Sequence, residues 1–228
     1  MKEPSDNLYN FRDLGGIPLK KGGFTLPRVF ARSNIIKDLT PEQLIFLKEQ
    51  GFYTIVDLRT PEELIKYPHR LANHPDFTYI NAKCDNWWRS EFYTVEESAM
   101  YYIMLMLLKD NIRGVLTALA DAEGGVIFNC YAGKDRTGVT AALLLLIAGV
   151  EDRYIIEDYA KTYTARWGDT PLEKLLPTQR LIPIPDNMEL FLSMFRARWT
   201  DVEGYCNFIG LPREKLLILR RKLTGSEQ

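Results

Sequence analysis

The sequence predicts an α/β protein with a central, mostly parallel β-sheet, flanking helices and a helical C-terminal part that could act as a lid. Two observations predict this class. Between residues 40 and 150, short β-rich runs alternate with helical patterns, and after Val150 only helical patterns occur. Strands that are joined through a helix run parallel to one another, so the alternation indicates a parallel sheet.

The first elements follow an irregular N-terminal segment. Residues 1–8 form a polar tail, and the many glycines and prolines of residues 9–35 predict turns with short strands. The sequence TPEQ at 40–43 is a capping box with proline at the first helical position, so a helix begins there and ends at Gly51. The β-rich run from Phe52 to Leu58 then predicts a buried strand.

The next three helices have equally local signals. The sequences TPEE at 60–63 and TVEE at 94–97 are two more capping boxes, and a strand is predicted between them at 78–82. From Ile112 to Leu119 the apolar residues recur at i, i+3, i+4 and i+7, which is typical of an amphipathic helix. The glycines at 124 and 125 end this helix.

The last predicted strand, Val126 to Asn129, leads through a loop into a helix from about Thr137 to Ala148. Three C-terminal helices are predicted after a loop marked by four prolines, at 186–199, 200–209 and 212–223. Helices of this kind need a partner for their apolar faces. We therefore expect residues 151–228 to pack on the sheet, within one domain that spans 1–228.

The composition excludes several classes of protein. The chain has 228 residues, 46% of them hydrophobic, which suits one globular domain. Its net charge of -1 gives no reason to expect a nucleic acid or an anionic membrane as partner. The longest apolar run, Val139 to Val150, is too short to cross a bilayer, which takes about 20 residues.

The cysteines and histidines predict neither a disulfide framework nor a metal site. The cysteine count is three, and the spacings are wide. His69 and His74 lack the further ligands that a zinc site needs. The N-terminus also lacks the apolar core of a secretory signal, so we expect a reduced, cytoplasmic protein without cofactor or metal.

The segment from Cys130 to Arg136 carries the chemistry. It joins a buried strand to a helix, where backbone N–H groups and the helix dipole converge on an anion. Gly133 allows a close approach of the backbone, and Gly138 allows the helix to pack near the sheet. Positive potential at such a place favours the thiolate of Cys130. Arg136 supplies a planar fork that matches two phosphate oxygens, and Thr137 can bond the sulfur.

This combination predicts phosphoryl transfer through a cysteinyl-phosphate, with Cys130 as nucleophile and Arg136 as phosphate clamp. The non-catalytic alternative is a buried, inert cysteine beside a surface arginine. A nucleotide-binding P-loop is excluded, because no glycine stands five residues before Gly133 and no serine or threonine follows Lys134.

Two aspartates are candidates for the group that transfers the proton, and the sequence leaves the choice open. Asp135 lies within the loop, where it could instead form a stabilising salt bridge with a neighbour. Asp85 follows a predicted strand, in a loop that could present it to the site. Asp57 also ends a strand, and we expect it to form a structural pair with an arginine.

The segment NCYAGKDRTG at 129–138 resembles the signature of the protein tyrosine phosphatase superfamily, and more closely a bacterial and fungal tyrosine-phosphatase-like group. The sequences NFRDLGG at 10–16 and IVDLRTPEE at 55–63 are similar to two further hallmarks of that group. The resemblance extends from about Asn10 to Leu223. It implies the tyrosine-phosphatase-like fold and a hydrolase of phosphate monoesters.

The resemblance also implies substrates and site residues. Members of the group act on phosphotyrosine, and some also act on phosphoserine, phosphothreonine or phosphoinositides, so the expected partner is a phosphorylated protein or a phospholipid headgroup. In the group, the lysine equivalent to Lys134 is associated with substrates that bear more than one phosphate. The expected substrate-binding residues are Tyr131, Ala132, Gly133, Lys134, Thr137 and Gly138.

One position departs from the resembled group. A histidine usually precedes the catalytic cysteine and orients the loop, and this chain has Asn129 there. Asparagine can donate a hydrogen bond but carries no charge, and we still expect an active enzyme. The departure keeps open a pseudophosphatase that binds a phosphorylated ligand without turnover. A sulfur transferase or an arsenate reductase would also use a cysteine loop.

A cluster of aromatic residues follows the third predicted strand. It has two interpretations, a wall that stacks on a substrate ring and ordinary packing under the helical part. Its members are Trp87, Trp88, Phe92 and Tyr93.

Overall fold

A five-stranded sheet lies at the centre of the fold in this computed structural model, which describes residues 8–84, 94–175 and 182–226. The strands are β1 (Arg12–Asp13), β2 (Phe30–Ser33), β3 (Phe52–Asp57), β4 (Thr78–Asn81) and β5 (Gly125–Asn129). Their order in the sheet is β1-β2-β5-β3-β4. Only β1 runs antiparallel to its neighbour, so the predicted mostly parallel sheet is confirmed.

The middle of the sheet is buried on both faces. All residues of β2 and β5 are buried, as is typical of parallel strands that helices cover from both sides. Asp57 at the end of β3 pairs with Asn129 at the end of β5. Because both strands end at this edge, the loops that follow them meet there, which is where ligands bind in open α/β sheets.

Three helices begin at the predicted capping boxes: α1 (Pro41–Glu49), α2 (Pro61–Lys66) and α3 (Val95–Leu107). In each, the threonine side chain accepts from the third helical N–H and the Gln or Glu side chain accepts in return. The remaining helices are α4 (Lys109–Asp121), α5 (Asp135–Ala148), α6 (Asp152–Trp167), α7 (Leu172–Leu175), α8 (Pro185–Trp199), α9 (Val202–Ile209) and α10 (Arg213–Thr224).

The sheet separates two hydrophobic clusters, and β5 contributes to both. Val126 and Phe128 belong to the larger cluster, which also holds buried residues of α3 to α6 and α8 to α10. Ile127 belongs to the smaller cluster, with Leu47 of α1. This division follows from the alternation of side chains along a strand. The C-terminal helices therefore bury their apolar faces in the same cluster as one face of the sheet.

The structure adds one long helix that the sequence patterns did not single out. The buried residues of α6 are Ile155, Asp158, Tyr159 and Thr162, spaced i, i+3, i+4 and i+7. Two of the four are polar, so the hydrophobic period is hidden although the face is buried.

Another helix boundary differs slightly from the prediction: α5 begins at Asp135 rather than Thr137. Within the described ranges no helix combines the length and apolar character needed to span a membrane.

Candidate active site

The loop between β5 and α5 forms the floor of an open pocket of about 860 Å³. Six residues of the predicted segment line it: Cys130, Tyr131, Ala132, Lys134, Asp135 and Arg136. Gly133, Thr137 and Gly138 are not in the lining. The Cys130 side chain is almost fully buried, with 4% of the residue exposed. The thiol therefore lies at the bottom of the pocket.

The carbonyl groups of the loop are held from behind by the N-terminal segment and β2. The Nδ2 of Asn10 donates to the carbonyl oxygens of Ala132 at 3.2 Å and Gly133 at 2.9 Å. The Nη2 of Arg32 donates to the same Gly133 oxygen at 2.8 Å. Successive peptide dipoles of the loop are thus fixed in one direction.

The N–H groups of the loop consequently point the other way. In a trans peptide the N–H of one residue is opposed to the carbonyl of the residue before it, and every described peptide bond is trans. The N–H groups of Gly133 and Lys134 are therefore directed away from Asn10 and Arg32. Among the described residues, the Ala132 and Gly133 N–H groups have no hydrogen-bond acceptor. Such a row of N–H groups before a helix is an anion site.

Two glycines permit the close packing around the loop. Gly133 has a φ of 67°, and a Cβ there would lie 2.4 Å from the carbonyl oxygen of Ser33. A Cβ on Gly138 would lie 3.2 Å from Cδ2 of Tyr159 in α6. The predicted role of Gly133 in a close backbone approach fits this geometry. For Gly138 the nearest neighbour is helix α6 rather than the sheet.

Glu63 of α2 fixes the guanidinium of Arg136, and it is not among the site residues that the sequence predicted. Arg136 Nη1 lies 2.6 Å from Oε2 of Glu63, and Nη2 lies 2.7 Å from Oε1. Burial lowers the pKa of Arg136, but the hydrogen bonds and charge of Glu63, together with the nearby Cys130 and Tyr101, make the net shift upward. Burial raises the pKa of Glu63, and Arg136 brings it below its ordinary value.

The partners of the Arg136 guanidinium leave some of its N–H groups available to a ligand. Glu63 takes one N–H of each terminal nitrogen, and the backbone oxygen of Leu58 lies 3.4 Å from Nη1. The Nε–H donates to none of the described residues. Two sequence signals include Glu63: the IVDLRTPEE hallmark at 55–63 and the TPEE capping box, where Oε2 also accepts from the Thr60 N–H at 2.9 Å.

Asp135 lies at the start of α5 and lines the pocket. Its Oδ1 accepts from the Tyr102 hydroxyl at 2.9 Å and lies 3.4 Å from Nζ of Lys134. The Tyr102 hydroxyl also lies 2.6 Å from that of Tyr159. Asp135 thus has the salt bridge that the sequence suggested, together with a position in the pocket. The other candidate, Asp85, lies outside the described residues, as do Trp87, Trp88, Phe92 and Tyr93.

Charged side chains from three helices and two loops complete the described lining. The cationic ones are Lys66, Lys83, Lys134, Arg136 and Arg166, and the carboxylates are Glu62, Glu63 and Asp135. Burial lowers the pKa of Lys134. The excess of cations gives the pocket a positive potential that favours anionic ligands.

Tyrosine rings stand among these charges. Tyr67, Tyr101 and Tyr131 line the pocket, and the rings of Tyr67 and Tyr131 lie 5.0 Å apart. The Nζ of Lys37 lies 5.3 Å and 5.0 Å from the centres of these two rings. Of these rings the sequence predicted only Tyr131 at the site, because Tyr67 and Tyr101 are far from the loop in the chain.

Two further aspartates, in the NFRDLGG and IVDLRTPEE sequences, have structural partners. Asp57 and Arg59 form a fully buried ion pair at 2.6 Å, as expected for Asp57. Asp13 accepts from the Gly15 and Arg28 N–H groups. Cys84 and Cys206 are buried thiols. Across the ranges 8–84, 94–175 and 182–226, no three His, Cys, Asp or Glu side chains group as ligands for a metal ion.

A family model and two relatives that match this chain are all described as tyrosine phosphatases. A family model described as "Tyrosine phosphatase family" matches residues 4–225. A tyrosine-protein phosphatase of Nostoc commune is 30% identical over 138 residues, which cover 58% of this chain. A provisionally named tyrosine-protein phosphatase of Cupriavidus necator is 24% identical over 232 residues, which cover 88% of this chain and 81% of that protein. The chain spans about half, 47%, of the length of the Nostoc relative.

One similar solved structure is the Pseudomonas aeruginosa protein TpbA, in a cysteine-to-serine form in complex with phosphotyrosine. The TM-score is 0.42 and the identity 12%, with 92% of this chain and 99% of the other covered.

Proposed function

This chain belongs to the tyrosine phosphatase family, and on that premise we propose that it hydrolyses phosphate monoesters, phosphotyrosine in particular, through a cysteinyl-phosphate on Cys130. The observation that carries the proposal is the common location of three groups. Cys130 and Arg136 line one pocket, and the loop that bears the N–H groups forms its floor. A nucleophile and a set of fixed donors for the phosphate oxygens are what this reaction needs.

In the first step, the thiolate of Cys130 attacks phosphorus in line with the leaving oxygen. An S–P bond forms, the P–O bond breaks, and a carboxylic acid gives its proton to the leaving oxygen. Arg136 and the loop N–H groups hold the equatorial oxygens. Because Glu63 fixes Arg136 before the substrate arrives, little reorganisation is required during the reaction.

In the second step, water attacks phosphorus and the S–P bond breaks. The carboxylate that gave up its proton now takes one from the water, and inorganic phosphate leaves together with the regenerated thiolate. The charge on the phosphate is met by Arg136, Lys134 and the loop, so the proposal includes no metal ion.

Asp135 is our candidate for the carboxylate among the described residues. It lines the pocket, and its Oδ2 accepts no hydrogen bond from a described residue, whereas Oδ1 is bonded to Tyr102. Asp85 is the competing assignment. We expect Asp135→Asn to lose activity on esters with poor leaving groups and to keep more on p-nitrophenyl phosphate, which needs little protonation. If Asp85→Asn shows that pattern and Asp135→Asn does not, Asp85 is the acid.

The lining supports an aryl phosphate as substrate. The three tyrosine rings offer an apolar wall for a phenyl ring, and the five cationic side chains admit further negative charge. Phosphopeptides with an acidic residue near phosphotyrosine fit both features. Phosphoserine peptides and inositol phosphates are the comparison substrates, and a higher kcat/KM for either than for phosphotyrosine would overturn this preference.

The test of the activity is hydrolysis of p-nitrophenyl phosphate with EDTA present, for the wild type and Cys130→Ser. We expect turnover by the wild type only, and a phosphorylated protein after a denaturing quench of the reaction. Turnover that persists in Cys130→Ser would contradict the cysteine mechanism. Binding of inorganic phosphate by the wild type without any turnover would favour the pseudophosphatase instead.

A further inference from the structure

A buried ionic cluster lies behind the loop, on the side opposite the pocket. Asp158 of α6 is 3% exposed and pairs with two arginines. Its Oδ1 lies 2.6 Å from Nε of Arg12, and its Oδ2 lies 2.5 Å from Nη1 of Arg32. Nη2 of Arg12 also donates to Thr162 at 3.1 Å. None of these residues lines the pocket.

Both arginines connect to carbonyl groups of the loop, and their routes meet at Gly133. Arg32 donates directly to the Gly133 oxygen at 2.8 Å. Arg12 donates to Oδ1 of Asn10 at 2.5 Å, and Nδ2 of Asn10 donates to the oxygens of Ala132 and Gly133. The carboxylate of Asp158 is therefore joined to the loop by two hydrogen-bonded routes.

We propose that Asp158 is a positioning residue for the phosphate-binding loop, acting through Arg32 and through the Arg12–Asn10 pair. The inference rests on the proposed function, since it assigns the loop to phosphate. By fixing the carbonyls of Ala132 and Gly133 toward the cluster, it keeps the N–H groups of the same peptides toward the ligand. A peptide that flipped would instead present its carbonyl oxygen to the anion.

Electrostatics support this arrangement. Burial raises the pKa of Asp158, but the two arginines bring it below its ordinary value, so the carboxylate stays ionised. Burial and the nearby Arg32 lower the pKa of Arg12 to about 10, which leaves it charged at neutral pH. Two cations and one anion lie beneath the loop, and the remaining positive charge favours a bound phosphate.

The sharpest variant is Asn10→Asp. It keeps an acceptor for Arg12, so the cluster retains its pairing, but it removes the Nδ2 group that donates to both loop carbonyls. The Arg32 bond to the Gly133 oxygen and the Tyr9 hydroxyl bond to the Ala132 oxygen remain. We expect binding of inorganic phosphate, measured by titration calorimetry, to weaken by roughly 10-fold or more, as for the loss of hydrogen bonds near a charged ligand. The backbone 15N–1H signals of Gly133 and Lys134 should shift, while the thermal midpoint stays close to that of the wild type.

Tyr205→Phe is the matched control. It removes a buried hydrogen bond between α9 and α3, from the Tyr205 hydroxyl to the Met106 oxygen at 3.0 Å, and neither residue lines the pocket. It should leave phosphate affinity and the two amide signals unchanged. Asp158→Asn removes the negative charge at which both hydrogen-bonded routes to the loop begin. It should weaken phosphate binding as well.

Wild-type phosphate affinity in both Asn10→Asp and Asp158→Asn would overturn the proposal. Because binding is measured without turnover, this result differs from failure of the catalytic proposal, which would appear as binding without hydrolysis in the wild type.

Discussion

At the scale of single residues, the Glu63–Arg136 pair decides how the proposed phosphate clamp is held. The pair is bidentate and its arginine is buried, with 5% of the Arg136 side chain exposed. An arginine without this partner would have to be ordered by the substrate itself, at a cost in side-chain entropy. Glu63 thus links a helix cap to the chemistry of the loop.

We predict that Glu63→Gln lowers kcat/KM for an aryl phosphate by about 10- to 100-fold, the range expected for loss of one charged hydrogen-bonded partner. Glutamine keeps the cap, because Gln43 performs the same capping role in α1. Glu62→Gln removes a carboxylate from the same helix and pocket and serves as the control. Equal losses in the two variants would show a general charge effect rather than a role for the pair.

His69 is a second residue whose surroundings have a measurable consequence. It is 5% exposed, and its Nδ1 accepts from the Leu71 N–H at 3.1 Å. The proton of the neutral ring therefore lies on Nε2, near Asn129. Burial lowers the pKa of His69 to about 4. The folded protein thus binds this proton less readily than the unfolded chain, whose histidine has a pKa of about 6.5.

The free energy of unfolding should fall as the pH falls from about 6.5 to about 4, because the unfolded chain gains the proton first. The full effect of one group with this shift is roughly 3 kcal/mol, at 1.36 kcal/mol for each pKa unit. Urea unfolding of the wild type and of His69→Gln at several pH values measures it. Parallel pH profiles for the two proteins would contradict the assignment to His69.

At the scale of elements, helix α5 has a glycine with positive φ just outside each end. Gly133, with φ 67°, precedes it, and Gly149, with φ 81°, caps its C-terminus. Both positions cost an L-residue about 1–2 kcal/mol of backbone strain. They differ in surroundings, since a Cβ at Gly133 would meet the Ser33 oxygen and one at Gly149 would meet nothing within 4 Å.

We predict that Gly133→Ala abolishes measurable phosphate binding and destabilises the protein by more than Gly149→Ala does. The second variant should lose only about 1–2 kcal/mol and keep its phosphate affinity. Calorimetric titration with inorganic phosphate and urea unfolding give both quantities. Equal stability losses would mean that the loop can move away from Ser33 without cost.

At the scale of the whole molecule, the C-terminal helices share one hydrophobic cluster with the sheet. Phe191 of α8 is fully buried, and its ring lies 5.9 Å from that of Tyr102 in α3. Tyr102 in turn bonds Asp135 at the site. These contacts support the expectation that residues 1–228 unfold as a single domain.

We predict that Phe191→Ala costs about 3–5 kcal/mol, the usual range for such a truncation in a core. In one cooperative domain, hydrogen exchange in β5 and in α8 should accelerate by the same factor under native conditions. Met100→Ala, on an exposed residue of α3, is the control and should change neither. Faster exchange in α8 alone would indicate that the helical part unfolds separately.

The amount that the sequence could predict depended on the range of the interaction. The three capping boxes involve residues three positions apart, and all three helices begin where the sequence predicted. The loop from Cys130 to Arg136 is also local, because strand, glycine and helix follow one another in the chain. Helix α6 was not singled out, because Asp158 and Thr162 occupy apolar positions of its buried face.

By itself, the sequence determined the α/β class, the helix starts and the place of the thiol beside its arginine, since each follows from near neighbours in the chain. The tertiary structure decided which partners complete the site. Glu63 is 73 residues from Arg136, and Asn10 is 123 residues from Gly133. Pairs so distant meet only because the order of strands in the sheet brings β3, β5 and the N-terminal segment together, and no local pattern encodes that order.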